Sequence, residues 1–63
     1  MQDTHSVFDN LVTRTELSEK LGLSESYISK LMSDENLPYF KIGRSVRFRL
    51  TEVVVWLQTR RRP

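Results

Sequence analysis

Thr13-Arg14-Thr15-Glu16-Leu17-Ser18-Glu19-Lys20-Leu21-Gly22-Leu23-Ser24-Glu25-Ser26-Tyr27-Ile28-Ser29-Lys30-Leu31-Met32 holds two helix-start signals and one helix-stop signal. Thr13 with Glu16 is the pattern of a reciprocal cap. The hydroxyl takes an amide proton at the third helical position, and the carboxylate reaches back to the cap amide. Leu17 and Leu21, four apart, share one helix face. Gly22 follows where a helix can end in a left-handed residue without a Cβ clash. Leu23 is an apolar plug. Ser24 is a second cap, and Ile28, Leu31 and Met32 give the next helix its buried side.

A short helix, a tight turn and a second short helix make either a helix-turn-helix or an αα-hairpin that merely packs. The first helix is expected over about Arg14 to Leu21, with Arg14, Ser18, Glu19 and Lys20 on its exposed side and Val12 stapled to Leu17. Thr13, Arg14 or Thr15 could touch a phosphate at its start. The second is expected over about Glu25 to Ser33. Glu25, Ser26, Ser29, Lys30 and Ser33 lie away from its apolar side, with Tyr27 at the border. Small hydroxyls and one amine permit close approach to a major groove. Tyr27 could stack on a sugar or thymine methyl, or bond a phosphate. Plain solvent exposure explains the serines equally simply. Glu25 in a first turn complements the macrodipole; accepting from a cytosine amino group is the sharper alternative.

Asp34, Glu35 and Asn36 close the second helix ahead of Leu37-Pro38, since a helix rarely runs up to a proline. The period then changes from helical to alternating. Phe40, Ile42, Val46, Phe48 and Leu50 are apolar, while Lys41, Arg47 and Arg49 are basic, around Gly43-Arg44-Ser45. That is a β-hairpin. A three-residue loop pairs Ile42 with Val46 and Phe40 with Phe48, and sets Lys41 opposite Arg47. Like charges across a ladder cost up to about 1 kcal/mol. A phosphate backbone along that face would relieve the repulsion. Arg44 beside a glycine could enter a narrow minor groove. The bland reading is a charged edge that resists aggregation.

Thr51 is expected to cap a third helix with Glu52 in its first turn and Val53, Trp56 and Leu57 on one face. The valine run makes a strand from Val53 to Leu57 the competitor. Val54 falls on the wrong face for burial. Arg60, Arg61 and Arg62 gather at the negative end of the helix, either on a phosphate backbone or in solvent.

The whole chain sets limits. At 63 residues it holds one domain at most. There is no cysteine, so neither a disulfide nor a thiolate metal site is available. The one histidine, His5, lies in a polar N-terminal run and reads as a solvated tail residue. No cofactor or metal is expected, and no small-molecule ligand. No apolar run approaches the ~20 residues that cross a bilayer, and no signal peptide is visible. The expected location is therefore the cytoplasm. Met1 to Asn10 reads as a mobile arm without lysine or arginine. From Met1 to Phe40 three basic residues oppose seven acidic ones, a net −4; from Lys41 to Pro63 seven oppose one, a net +6. A polyanion is drawn to the C-terminal third. No nucleophile is paired with a base, so no catalytic residue is assigned and the chain does not read as an enzyme.

In this order, the elements resemble the small winged helix-turn-helix of excisionases. These belong to a MerR-like superfamily with phage and transposon recombination directionality factors and AlpA-type regulators. The residues that carry the likeness are Thr13, Glu16, Leu21-Gly22-Leu23-Ser24, Ile28, Leu31, Leu37-Pro38, Lys41-Ile42-Gly43-Arg44, Val46-Arg47-Phe48 and Trp56-Leu57. The resemblance implies a mainly α fold with a small β-hairpin, ordered α-α-β-β-α. The likeness covers about Leu11 to Leu57, and the chain is expected to divide into an arm over 1–10, a DNA-binding domain over 11–58 and a basic tail over 59–63. The resemblance implies helix contacts to duplex DNA from Ser24, Ser26, Tyr27, Ser29 and Lys30. Wing contacts would come from Lys41, Gly43, Arg44, Ser45 and Arg47. Thr13, Arg14, Glu25, Arg49, Arg60 and Arg61 form an outer set. Glu25 stands where relatives often carry a basic residue, and Val54 where they carry a polar one. An integrase or recombinase partner and cooperative self-association on adjacent sites are further implications, and a bare domain is expected to lack an effector pocket. A small transcriptional regulator and a protein-interaction module using Val54 are the rival expectations.

Overall fold

A computed structural model describes residues 11–61. Its elements are β1 (Leu11–Val12), α1 (Arg14–Leu21), α2 (Glu25–Asp34), β2 (Phe40–Ile42), β3 (Ser45–Arg49) and α3 (Leu50–Gln58). The arm over 1–10 and Arg62 lie outside the described residues.

The first helix starts as its sequence requires. The Glu16 amide donates to Thr13 Oγ1 at 3.1 Å, and the Thr13 amide donates to Glu16 Oε1 at 2.8 Å. Two orphan donors of the helix end are thereby satisfied. Gly22 ends α1 at φ 70°, and the Leu23 amide returns to the Ser18 carbonyl at 3.0 Å. A Cβ here would have open space but a strained backbone. Gly22→Ala is therefore expected to cost about 1 kcal/mol, near 4–8 °C in Tm for a domain this small. Denaturant and thermal unfolding would read this, and an unchanged midpoint would contradict it.

Ser24 caps α2 by accepting the Tyr27 amide at 3.1 Å. The helix ends at Asp34, and Asn36 takes the left-handed conformation, φ 61°. This lets the Leu37 amide reach the Leu31 carbonyl at 3.2 Å and sends Leu37 inward. Val12, Leu17, Ile28, Leu37, Phe48 and Val53 form the buried core, with Leu21, Leu23, Leu31, Met32, Val46, Leu50 and Trp56 packed around it. Every described element except β2 contributes a buried residue. Val12 and Leu17 share this core, as a staple requires.

Four expectations are corrected. Ser18 is buried, not exposed; its hydroxyl donates to the Thr15 carbonyl at 2.8 Å, so its burial leaves no unmet donor. Leu11–Val12 is a strand, pairing antiparallel with β3 in the order β1-β3-β2. Thr51 does not cap α3. The helix starts at Leu50 directly from β3, with Arg49 at the cap position and no side-chain cap bond. Thr51 is thus already inside the first turn.

The fourth correction concerns the hairpin. Phe40 pairs with Arg47, Lys41 with Val46 and Ile42 with Ser45. The loop is therefore two residues, Gly43-Arg44, and Lys41 is not opposite Arg47. Gly43 has φ 63° and Arg44 does not share the positive region, the pattern of a type II′ turn, which matches strand twist. Pairing of apolar residues fixes register only where one face is buried. All three β2 residues are exposed, so turn chemistry decides.

Candidate nucleic-acid interface

On α2, Ser26, Ser29, Lys30 and Ser33 recur at i, i+3, i+4 and i+7, all exposed, on the side away from the buried Ile28. The Ser29 hydroxyl donates to the Glu25 carbonyl at 3.2 Å, and the Ser33 hydroxyl to the Lys30 carbonyl at 3.3 Å. The Ser33 hydroxyl also lies 3.1 Å from Asp34 Oδ1, and a hydroxyl that donates in this way keeps its oxygen available as an acceptor. Ser24 Oγ serves as the cap and lies 3.5 Å from Ser26 Oγ. Tyr27 is 47% exposed, on the flank toward Leu31 and Trp56. Ser33, absent from the helix contacts that the resemblance implies, completes the stripe; its seven-residue spacing from Ser26 is the signal in the sequence.

Glu25 has a role the sequence did not disclose. Its Oε2 accepts the Thr15 hydroxyl at 2.9 Å, tying α2 to α1 across the turn. Glu25→Gln keeps an acceptor oxygen and is expected to bind DNA within about two-fold of wild type; Glu25→Ala should lose about 1 kcal/mol of stability with the hydrogen bond. Paired unfolding and binding titrations check this. A change of preferred base at one position in Glu25→Gln would instead show base reading.

In the hairpin, β2 and β3 carry cations on both faces. Lys41, paired with Val46, lies on the side of Val46 and Phe48; Arg47 lies on the other, with Phe40 and Arg49. Arg44 stands exposed at the tip beside Gly43, and Ser45 is exposed next to it. Among the described residues neither Lys41 nor Arg44 makes an ion pair. Arg47 is half-buried, and its Nη1 donates to the Val46 carbonyl at 2.8 Å. Arg49 is engaged along the surface: its guanidinium lies 5.3 Å from the Phe40 ring centroid and its Nε 3.7 Å from Glu52 Oε2.

The outer set divides similarly. Thr13 is used as a cap. Arg14 is half-buried at the first position of α1, its Nε without a hydrogen-bond partner among the described residues. Arg61 is exposed. Arg60 lies on the surface, held by Glu35 and Trp56. No local pattern signals that contact, because Glu35 lies 25 positions away.

A capped helix pair followed by a glycine-tipped hairpin on a three-stranded sheet, closed by a third helix, is a winged helix-turn-helix. Residues 11–61 match the family model described as a helix-turn-helix domain. The chain belongs to this family, which contains excisionase- and AlpA-like small DNA-binding proteins. DNA binding is the activity that the domain supports, and the family is typically non-enzymatic. Comparison with curated proteins and with solved structures gives no match. Among the described residues no helix is long and apolar enough to cross a membrane.

Proposed function

We propose that the protein binds duplex DNA sequence-specifically and acts as an excisionase-like directionality factor. In this reading it acts in the cytoplasm of a bacterium, on chromosomal or phage attachment-site DNA. The observation that supports it is the α2 stripe of small hydroxyls and one lysine, in the same small fold as a hairpin with cations on both faces. Inserted in a major groove, the oxygens of Ser29 and Ser33 suit the amino groups of adenine or cytosine, the Ser26 hydroxyl can donate or accept, and Lys30 suits guanine O6 and N7 or a phosphate. Ser24 and Tyr27 flank them at the groove edge.

The corrected register gives the wing its part. A ribbon with Lys41 on one face, Arg47 on the other and Arg44 at the tip can meet a phosphate strand on each side of a minor groove. Gly43 and Ser45 add little bulk there. Lys30, Lys41, Arg44 and Arg47 would release roughly four counterions, so log K should fall against log[salt] with a slope of about −3 to −4. A gel shift on attachment-site duplexes across a salt series measures this; binding insensitive to salt would contradict it. As a directionality factor, several copies bind adjacent sites, bend the DNA and bias a partner integrase toward excision. Excision in vitro that requires both proteins supports this. Transcriptional change without any recombinase favours the small-regulator reading.

A second reading rests on α3. Val54 is 51% exposed, Val55 62% and Leu57 37%. A protein-interaction module using this face would fail on Val54→Asp and tolerate loss of the wing cations.

A further inference from the structure

We infer that Arg60 is a positioning residue for α2, acting by holding its C-terminal end rather than by touching DNA. The inference rests on the DNA-binding reading above. Three contacts converge on Glu35, the residue that closes α2. Arg60 Nη2 donates to the Glu35 carbonyl at 2.6 Å and lies 3.0 Å from Glu35 Oε1. Trp56 Nε1 donates to the same carbonyl at 3.0 Å. The guanidinium lies over the Trp56 ring, 4.5 Å from its centroid.

The chemistry explains why an arginine stands there. A helix C-terminus leaves carbonyls without intrahelical donors and carries partial negative charge. Two donors from the end of α3 meet one such carbonyl. A planar guanidinium can lie flat on indole while Nη2 directs its N–H groups at a carbonyl and a carboxylate; an ammonium can donate to both oxygens but has no plane to lay on the ring. Arg60 Nη2 is committed to Glu35 and the guanidinium face to Trp56, and the salt series below separates this role from a phosphate contact.

The site matters because α2 buries little of its surface. Ile28 is its one buried residue, with Leu31 and Met32 partly buried against the core. At its start Glu25 is tied to Thr15 of α1; at its end Glu35 is tied to Arg60 and Trp56 beyond and within α3. Polar ties at both ends therefore set how the Ser26 to Ser33 stripe is presented. A misplacement of an ångström at a reading surface forfeits hydrogen bonds that need close geometry.

The test compares wild type, Arg60→Ala and Arg60→Lys in duplex-DNA titrations across a salt series, together with amide spectra of the free proteins. Arg60→Ala is expected to weaken binding by about three- to ten-fold at fixed salt, leaving the slope of log K against log[salt] unchanged. Arg60→Lys keeps the charge and is expected not to restore affinity. In both free variants the amides from Leu31 to Asn36 should shift. A slope reduced by about 0.9 with restoration by lysine would make Arg60 a phosphate contact and overturn the inference. Full affinity in Arg60→Ala would also overturn it. Should wild type bind no duplex, the functional reading fails, and the free-protein spectra still decide whether Arg60 fixes the end of α2.

Discussion

Lys41→Ala combined with Arg44→Ala is expected to lower affinity for cognate duplex by at least about ten-fold in moderate salt, and to flatten the salt slope by about 1.8. Each cation that leaves a phosphate releases one fewer counterion, and the two act at separate points of the wing. Both side chains are exposed and neither pairs with a described acid, so the substitutions remove little internal structure. The unfolding midpoint should therefore stay within about 0.5 kcal/mol of wild type. Sequence preference should stay too, because phosphate contacts position a protein without reading bases. Substitution at Lys30 should weaken binding and relax preference at one base pair. Wild-type affinity in the doubly substituted chain, at every salt concentration, would remove the wing from the account.

Phe48→Ala is expected to be the most damaging single change to the fold. Its ring is fully buried, and Phe48 pairs with Val12 across β1 and β3. Tyr39 lies against it, ring centroids 6.4 Å apart. Truncating a buried phenylalanine costs about 3–5 kcal/mol. A domain of this length holds only about 3–9 kcal/mol in total. Phe48→Ala should therefore be largely unfolded at 37 °C and inactive in DNA binding for that reason. Phe48→Leu refills most of the space and should lose far less. Urea unfolding followed by the fluorescence of Trp56 reads both. A cooperative transition at the wild-type midpoint in Phe48→Ala would mean that the core is not centred on β3.

Local chemistry makes part of this fold legible in the sequence. Thr13 with Glu16, Gly22 and Ser24 set the bounds of α1 and the start of α2, because each satisfies an amide or permits a backbone angle within a few residues. The change of period at Phe40 located the hairpin. Non-local pairings were not legible. Leu11–Val12 is too short to show alternation, and only β3 makes it a strand. Register failed because Phe40 and Ile42 read as core partners of Phe48 and Val46, whereas β2 is exposed on both faces and the Gly43 turn governs. That error placed Lys41 and Arg47 on one face and supplied a repulsion that the structure does not contain. The cations remain suited to DNA, now as a ribbon charged on two sides. Arg60 read as part of a basic tail because its partner, Glu35, lies far off in sequence.

The most direct measurement of the central claim is an amide chemical-shift titration with a short cognate duplex. The account predicts that the largest shifts fall in two clusters, Ser24 to Ser33 and Lys41 to Arg47, saturating together at one stoichiometry, with Val54 and Val55 nearly still. Shifts concentrated in α3, with Gly43 and Arg44 unmoved at saturation, would contradict it.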